Sequence, residues 1–184
     1  QVKYSDGVPV FIETDDSTDF KITPEQLKAA ITPKTKILLL NTPSNPTGSV
    51  YSKEELLALG EVLKGTDIIV LSDEMYEKIM YNGKKFTAAA QVSEDMFNRT
   101  VTINGLSKAV AMTGWRFGYI ATPDAKLAKT LTKLQGQVTS NINTMTQYAA
   151  IPALEGDADE TIEMMRVEFE KRKKSGIFET ERHF

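Results

Sequence analysis

Thr102-Ile103-Asn104-Gly105-Leu106-Ser107-Lys108-Ala109-Val110-Ala111-Met112-Thr113-Gly114-Trp115-Arg116-Phe117-Gly118-Tyr119 is the stretch whose reading decides the fold. The β-branched run Val101, Thr102, Ile103 reads as a strand, and Asn104-Gly105 is a turn signal that stops it. Lys108 therefore falls just past a strand end, where side chains of α/β sheets reach ligands. Eight residues on, Trp115-Arg116 lies between Gly114 and Gly118, whose small size lets the backbone bring a guanidinium close to an anion. Phe117 to Ala121 reads as another strand leaving this region. An amine that forms an imine and a guanidinium that holds a phosphate suit a phosphorylated carbonyl ligand. Taken singly, Lys108 is equally a solvated surface lysine.

Two further strands are predicted upstream. Thr35 to Leu40 is too continuously apolar for a one-sided sheet and too short for a helix, and Asp67 to Ser72 has the same character, so both read as buried parallel strands. The first ends at Asn41-Thr42-Pro43 and enters Pro43-Ser44-Asn45-Pro46-Thr47-Gly48, a loop stiffened by its prolines, in which Pro46 holds Asn45 extended. Locally this is an ordinary strand-to-helix turn. The second ends at Asp73-Glu74-Met75-Tyr76, again at the carboxyl end of a strand where ligands bind. Asp73 either faces such a ligand or caps the turn that follows. Tyr76, three residues on, reaches the same side of a helical turn.

Between the strands, helix starts are written as caps. Thr23-Pro24-Glu25-Gln26 places threonine at the N-cap and proline at the first helical position, for a helix to about Ala30. Ser52-Lys53-Glu54-Glu55 is a capping box opening a helix to about Lys64, with Gly65 able to end it. Pro123-Asp124 opens a helix to Val138, and two more follow over residues 141–155 and 157–174. In the last, Ile162, Met165, Val167 and Phe169 are irregularly spaced, as in a connecting helix. Val8 to Ile12 is expected as a strand, and residues 84–98 as a surface excursion with a short helix near Ser93 to Phe97. The alternation predicts an α/β fold, a mostly parallel sheet with helices on both faces.

Composition removes several alternatives. The 184 residues are 41% hydrophobic and 26% charged, which suits one globular core. Twenty-two basic residues against 25 acidic ones give a net charge of −3, and the one basic run, Lys171-Arg172-Lys173-Lys174, reads as a solvated helix face, so nucleic acid is not an expected partner. Cysteine is absent and the single histidine is His183, which excludes disulfides and thiolate metal sites and argues against metal catalysis. No apolar run reaches the roughly 18 residues of a membrane span, and no signal-peptide pattern opens the chain. A soluble, cytoplasmic protein with no membrane partner is expected.

The string Ser107-Lys108-x-x-x-Met112-x-Gly114-Trp115-Arg116-x-Gly118-Tyr119 resembles the cofactor-lysine region of class I, fold type I, pyridoxal-phosphate-dependent aminotransferases, especially the bacterial aspartate aminotransferase-like enzymes. Asn45-Pro46-Thr47-Gly48 and Asp73-Glu74-x-Tyr76 match the same family in the same order. The resemblance implies pyridoxal 5′-phosphate as cofactor, with Lys108 joined to its aldehyde and later moving the substrate proton. It implies Asp73 at the pyridinium nitrogen, Asn45 and Tyr76 at the phenolic oxygen, and Ser107 and Arg116 on the phosphate. An ionised Asp73 there would keep the ring an electron sink.

The implied reaction moves an amino group between an amino acid and a 2-oxo acid, in a protein that is a homodimer at full length. Residues 1–156 then correspond to part of the large, cofactor-binding domain, and residues 157–184 to a connecting helix and an atypical tail toward a small domain. Three family features lie outside the sequence: the glycine-rich phosphate turn, the ring-stacking aromatic residue and the arginine for the substrate carboxylate. The chain alone is therefore expected to be inactive. Another pyridoxal-phosphate reaction, such as that of a lyase, decarboxylase or synthase, and a non-catalytic scaffold are the alternative readings. In animal-type aspartate aminotransferases an arginine from the partner subunit, in the segment corresponding roughly to residues 139–146, reads the substrate's side-chain carboxylate. Thr139 to Thr146 contains no arginine, so dicarboxylate preference by that route is not expected.

Overall fold

The computed structural model describes residues 2–181, and side chains through residue 176. The first helix, α1 (Pro24–Ala30), starts where its cap is written: Thr23 Oγ1 accepts from Gln26 N at 3.2 Å, and Gln26 Oε1 accepts from Thr23 N at 2.9 Å. Strand β1 (Ile37–Asn41) follows, then α2 (Lys53–Leu63), which opens on the same reciprocal pair between Ser52 and Glu55. Next come β2 (Ile69–Asp73), α3 (Glu94–Arg99), β3 (Thr100–Gly105), the single turn α4 (Leu106–Ala109) and β4 (Gly118–Ala121). The chain then turns wholly helical in α5 (Ala125–Val138), α6 (Thr144–Glu155) and α7 (Asp159–Glu181). Asp124 caps α5 by accepting from Lys126 N and Leu127 N, and Asn143 caps α6.

The strands lie side by side in chain order, β1-β2-β3-β4. The first two pairings are parallel and cross over through α2 and α3, whereas β4 returns antiparallel to β3 through a connection without a long helix. The sheet is thus mostly parallel and flanked by helices, as predicted. Leu40 and Val70 face the core with Leu27 of α1, Leu56, Leu59 and Leu63 of α2, and Met96 of α3.

Several expectations are corrected. Val8 to Ile12 forms no strand: the segment has no ladder partner among the described residues, and Val8, Val10 and Phe11 stand exposed. Alternating apolar residues become a strand only when a neighbour takes their hydrogen bonds, and Pro9 removes one donor. β1 is not covered on both faces: Leu40 is buried against the helices, but Ile37 and Leu39, on the opposite face, are 57% and 66% exposed. The last helix runs beyond residue 174 to Glu181, while His183 and the end of the tail lie outside the described residues. None of the helices among the described residues is long and apolar enough to cross a membrane.

Polar contacts dock α7 onto the chain that follows β2. Lys78 pairs with Asp159 at 2.9 Å, Arg166 Nη1 donates to Met80 O at 3.1 Å, and Glu170 Oε1 accepts from Asn82 N at 3.1 Å. Glu170 also pairs with Arg166 and Lys174, and these donors hold its carboxyl down to about 2. Ile162 is buried beneath them.

The two faces of the sheet predict opposite responses to substitution. Leu59→Ala, in the filled core, is expected to cost about 2–5 kcal/mol in urea unfolding. Leu39→Lys is expected to change stability by less than about 0.5 kcal/mol, as surface substitutions do, and to lower binding of a hydrophobic dye.

Candidate active site

Strand register builds the site. Asn41 lies opposite Asp73 and Asp73 opposite Ile103, so the parallel strands finish nearly level, with β3 running on to Gly105. β4 runs the other way with Gly118 opposite Gly105, so Arg116, just before it, is returned to the same sheet end. Asn45, Asp73, Tyr76, Ser107, Lys108 and Arg116 all stand at that end, in the loops, on the last residue of β2 or in the single turn α4. Gly105 permits the return: a Cβ there would lie 2.6 Å from Phe117 O and 3.1 Å from Gly118 Cα.

Three of the predicted residues form a continuous group. Asn45 Nδ2 donates to the Tyr76 hydroxyl at 3.2 Å, and Lys108 Nζ lies 5.7 Å from the centre of the Tyr76 ring. Lys108 and Asn45 are exposed, and Tyr76 is half-buried between them. Asp73 Oδ1 accepts from Met75 N at 3.2 Å, so this carboxylate does cap the following turn while standing at the strand end. Its second oxygen keeps the acceptor capacity a ring nitrogen would use. Ser107 sits in the single turn of α4 beside Lys108. Arg116 is left-handed, with φ 54°, and its Nη1 donates to Thr113 O at 3.0 Å within its own turn.

Sequence reasoning passed over three supporting residues. Asn41 joins the first loop to β2: its Nδ2 donates to Asp73 O at 3.2 Å, and its Oδ1 accepts from Asn45 N at 3.1 Å. An asparagine closing an apolar run was the available signal. Thr146 of α6 is buried and donates to Trp115 O at 3.2 Å, holding the turn that carries Arg116. Glu74, grouped by sequence with the ligand-facing end of β2, is instead turned inward and 2% exposed. Strand alternation explains this, since Glu74 follows the inward-facing Ser72 by two residues and Asp73 by one. Burial pushes the Glu74 carboxyl up, against hydrogen bonds from Ala89 and Ser72, and the nearby Glu77 and Asp73 charges push the same way.

An amine, a carboxylate, a phenol–amide pair, a hydroxyl and a guanidinium at one sheet end make a donor set that fits an aldehyde-bearing, ring-nitrogen, phosphorylated cofactor. The comparisons with known proteins give that set its context. The family model described as aminotransferase class I and II matches residues 1–175. The chain belongs to that family. Over 172 residues it is 50% identical to the asparagine–oxo-acid transaminase of Streptococcus mutans, covering 94% of this chain and 43% of that one. The aspartate aminotransferase of Geobacillus stearothermophilus gives the same identity and coverage. Among solved structures, the aspartate aminotransferase of Rhizobium meliloti superposes with a TM-score of 0.86 at 42% identity, over 94% of this chain and 44% of that one. The Thermus thermophilus aspartate aminotransferase with maleate gives 0.87 at 38% identity, with the same coverage. The chain thus spans less than half the length of these relatives. The family is pyridoxal-phosphate-dependent, in agreement with the donor set.

Glu74 gives a signed pH dependence. Its raised carboxyl binds a proton more tightly in the folded than in the unfolded chain, so its contribution to stability is fully present below the ordinary carboxylate pKa. That contribution is lost as pH rises through the raised value. Glu74→Gln, which cannot ionise, is expected to flatten this part of the stability profile, read as thermal midpoints across the mildly acidic range.

Proposed function

We propose that these residues bind pyridoxal 5′-phosphate and belong to an enzyme that transfers an amino group between an amino acid and a 2-oxo acid. The observation that carries the reading is the Asn45–Tyr76–Lys108 group at the carboxyl end of the sheet, in a chain of this family. The names of the relatives make aspartate or asparagine the first amino acids to try. Recognition of a second carboxylate by an arginine in residues 139–146 has no residue to perform it, so such selection would fall to another part of the protein.

When bound, the cofactor supplies an aldehyde and an electron-withdrawing ring. Lys108, whose Nζ lies over the face of Tyr76, would be the amine that meets that aldehyde. A free Lys108 amine at this place would be the group able to take and return the substrate's Cα proton, as general base and acid on one short tether. Asp73 would present its charge to the ring nitrogen, Asn45 and Tyr76 would hydrogen-bond the phenolic oxygen, and Ser107 and Arg116 would hold the phosphate.

A homodimer at full length is part of the proposal. Met145, Tyr148, Ile151 and Leu154 make an exposed apolar stripe along α6, next to the Thr146 contact with the Arg116 turn, which supports an interface there. The reading further assigns residues 1–156 to the cofactor-binding domain and residues 157–184 to a connection toward a second one. It places the protein in the cytoplasm, in amino acid metabolism.

The test is chemical trapping. Incubation with pyridoxal phosphate followed by borohydride is expected to leave the label on the peptide containing Lys108, and Lys108→Arg to abolish it. Label mainly on another lysine would refute the assignment. Asp73→Ala is expected to weaken cofactor retention about tenfold or more, because hydrogen bonds to charged groups contribute about 1.5–3 kcal/mol. Loss of its cap would cost the fold about 0.5–2 kcal/mol. With glutamate, aspartate or alanine added, the 184-residue chain is expected to convert no more cofactor to the amine form than free pyridoxal phosphate does.

A further inference from the structure

Glu74 is a buried acid that the proposed chemistry does not use, and it lies between two residues that the chemistry does use, Asp73 and Tyr76. Its carboxylate faces away from the site. Oε1 accepts from Ser72 Oγ at 2.8 Å and from Ala89 N at 3.0 Å, and Ala89 is itself fully buried. These donors stand at the two ends of the excursion from the end of β2 to the short 3-10 turn Ala89–Gln91, the excursion that carries Tyr76. The backbone of the same residue is committed too. Glu74 N donates to Ile103 O at 2.9 Å, on the strand that leads to Lys108, and Glu74 O accepts from Glu77 N at 3.1 Å, opening the turn in which Tyr76 sits.

We propose that Glu74 is a positioning residue: by clamping Ser72 and Ala89 from beneath the sheet end, it fixes the turn that presents Tyr76 to Asn45 and Lys108. The inference gains its functional meaning from the cofactor reading, although the geometry it concerns exists without cofactor. Two buried donors sharing one carboxylate oxygen leave the turn one seating. Removing the carboxylate leaves both donors without that acceptor, and the bond that ties Ala89, at the far end of the loop, back to the end of β2 is lost.

The experiment compares the unsubstituted chain with Glu74→Ala, Glu74→Gln and Ser72→Ala, first without ligand. NMR with ring-labelled tyrosine resolves six tyrosines, and Tyr76→Phe identifies the Tyr76 signal. Glu74→Ala is expected to shift or broaden that signal and to speed amide exchange at Ile79 and Ala89 about tenfold, the scale of one lost acceptor, while β1 and β2 amides stay protected. Glu74→Gln keeps an acceptor oxygen and is expected to restore both readouts. If Glu74→Ala does not fold, Ser72→Ala removes one clamped partner and is expected to move the Tyr76 signal in the same direction by less. An unmoved Tyr76 signal in the folded variants, or equal loosening of the whole sheet, would overturn the proposal.

A second arm adds pyridoxal phosphate. Retention at Lys108 is expected to fall severalfold in Glu74→Ala and to be recovered in Glu74→Gln. Failure of the unsubstituted chain to retain cofactor at Lys108 would count against the cofactor reading alone, since the ligand-free arm decides the role of Glu74. Where the unsubstituted chain does retain cofactor, equal retention by Glu74→Ala would count against the clamp.

Discussion

Parallel pairing of β1, β2 and β3 in a level register is the constraint on which the site depends, because it sets Asn41, Asp73 and Ile103 side by side where the strands stop. Every candidate residue is a short chain distance from one of those positions or from the head of β4. A slip of one residue in β2 would exchange Asp73 with an inward-facing neighbour and move Tyr76 with it. What prevents the slip is the core face: Val70 and Ser72 are fully buried, and α2 fills the space below with Leu56, Leu59 and Leu63. Hydrophobic packing on one side of the sheet thereby fixes polar chemistry at its end.

The support around the candidate residues is mostly amide and hydroxyl chemistry rather than ion pairing. Asn41 links the first loop to β2, Thr146 links α6 to the Trp115–Arg116 turn, and Glu74 links the end of β2 to Ala89. Each contact joins a site-bearing loop to a different element, and each supporting side chain is at least half-buried. Such contacts are directional, so they set where a neighbouring side chain points as well as adding stability. Around α7 charged groups take over: the Lys78–Asp159 pair, the bond from Arg166 to Met80 O and that from Asn82 N to Glu170 attach a helix of low apolar content to the loop beyond Tyr76, while Arg166 pairs with Glu163 and Glu170 inside the helix.

Much of this arrangement was legible before any coordinates. Thr23, Ser52 and Asp124 announced three helix starts because a cap needs a specific side chain at a specific offset from the first turn. The β1, β2 and β3 segments were legible as apolar runs bounded by turn residues. Val8 to Ile12 was misread because local alternation carries no information about whether a ladder partner exists. Burial of β1 was overstated for a related reason, since whether a second layer covers the face of Ile37 and Leu39 is a property of the packing and leaves no mark in those residues. Glu74 was missed because its neighbours drew it into a ligand-facing group, although alternation from Ser72 already assigned it inward. Residues known from a family motif were easier to find than the residues that hold them in place.

The order of the strands also bears on how the chain comes to be made. Because β1, β2, β3 and β4 are neighbours in space in the order of synthesis, each new strand emerging from a ribosome finds its partner already present. Among these four strands, growth proceeds by addition at one side, with none inserted between two earlier ones. Asn45 and Asp73 then emerge ahead of Lys108, and the Lys108 amine arrives last of the group it touches, followed by the turn that carries Arg116. Assembly in this sense is vectorial, running from the carboxamide end of the site to the guanidinium end.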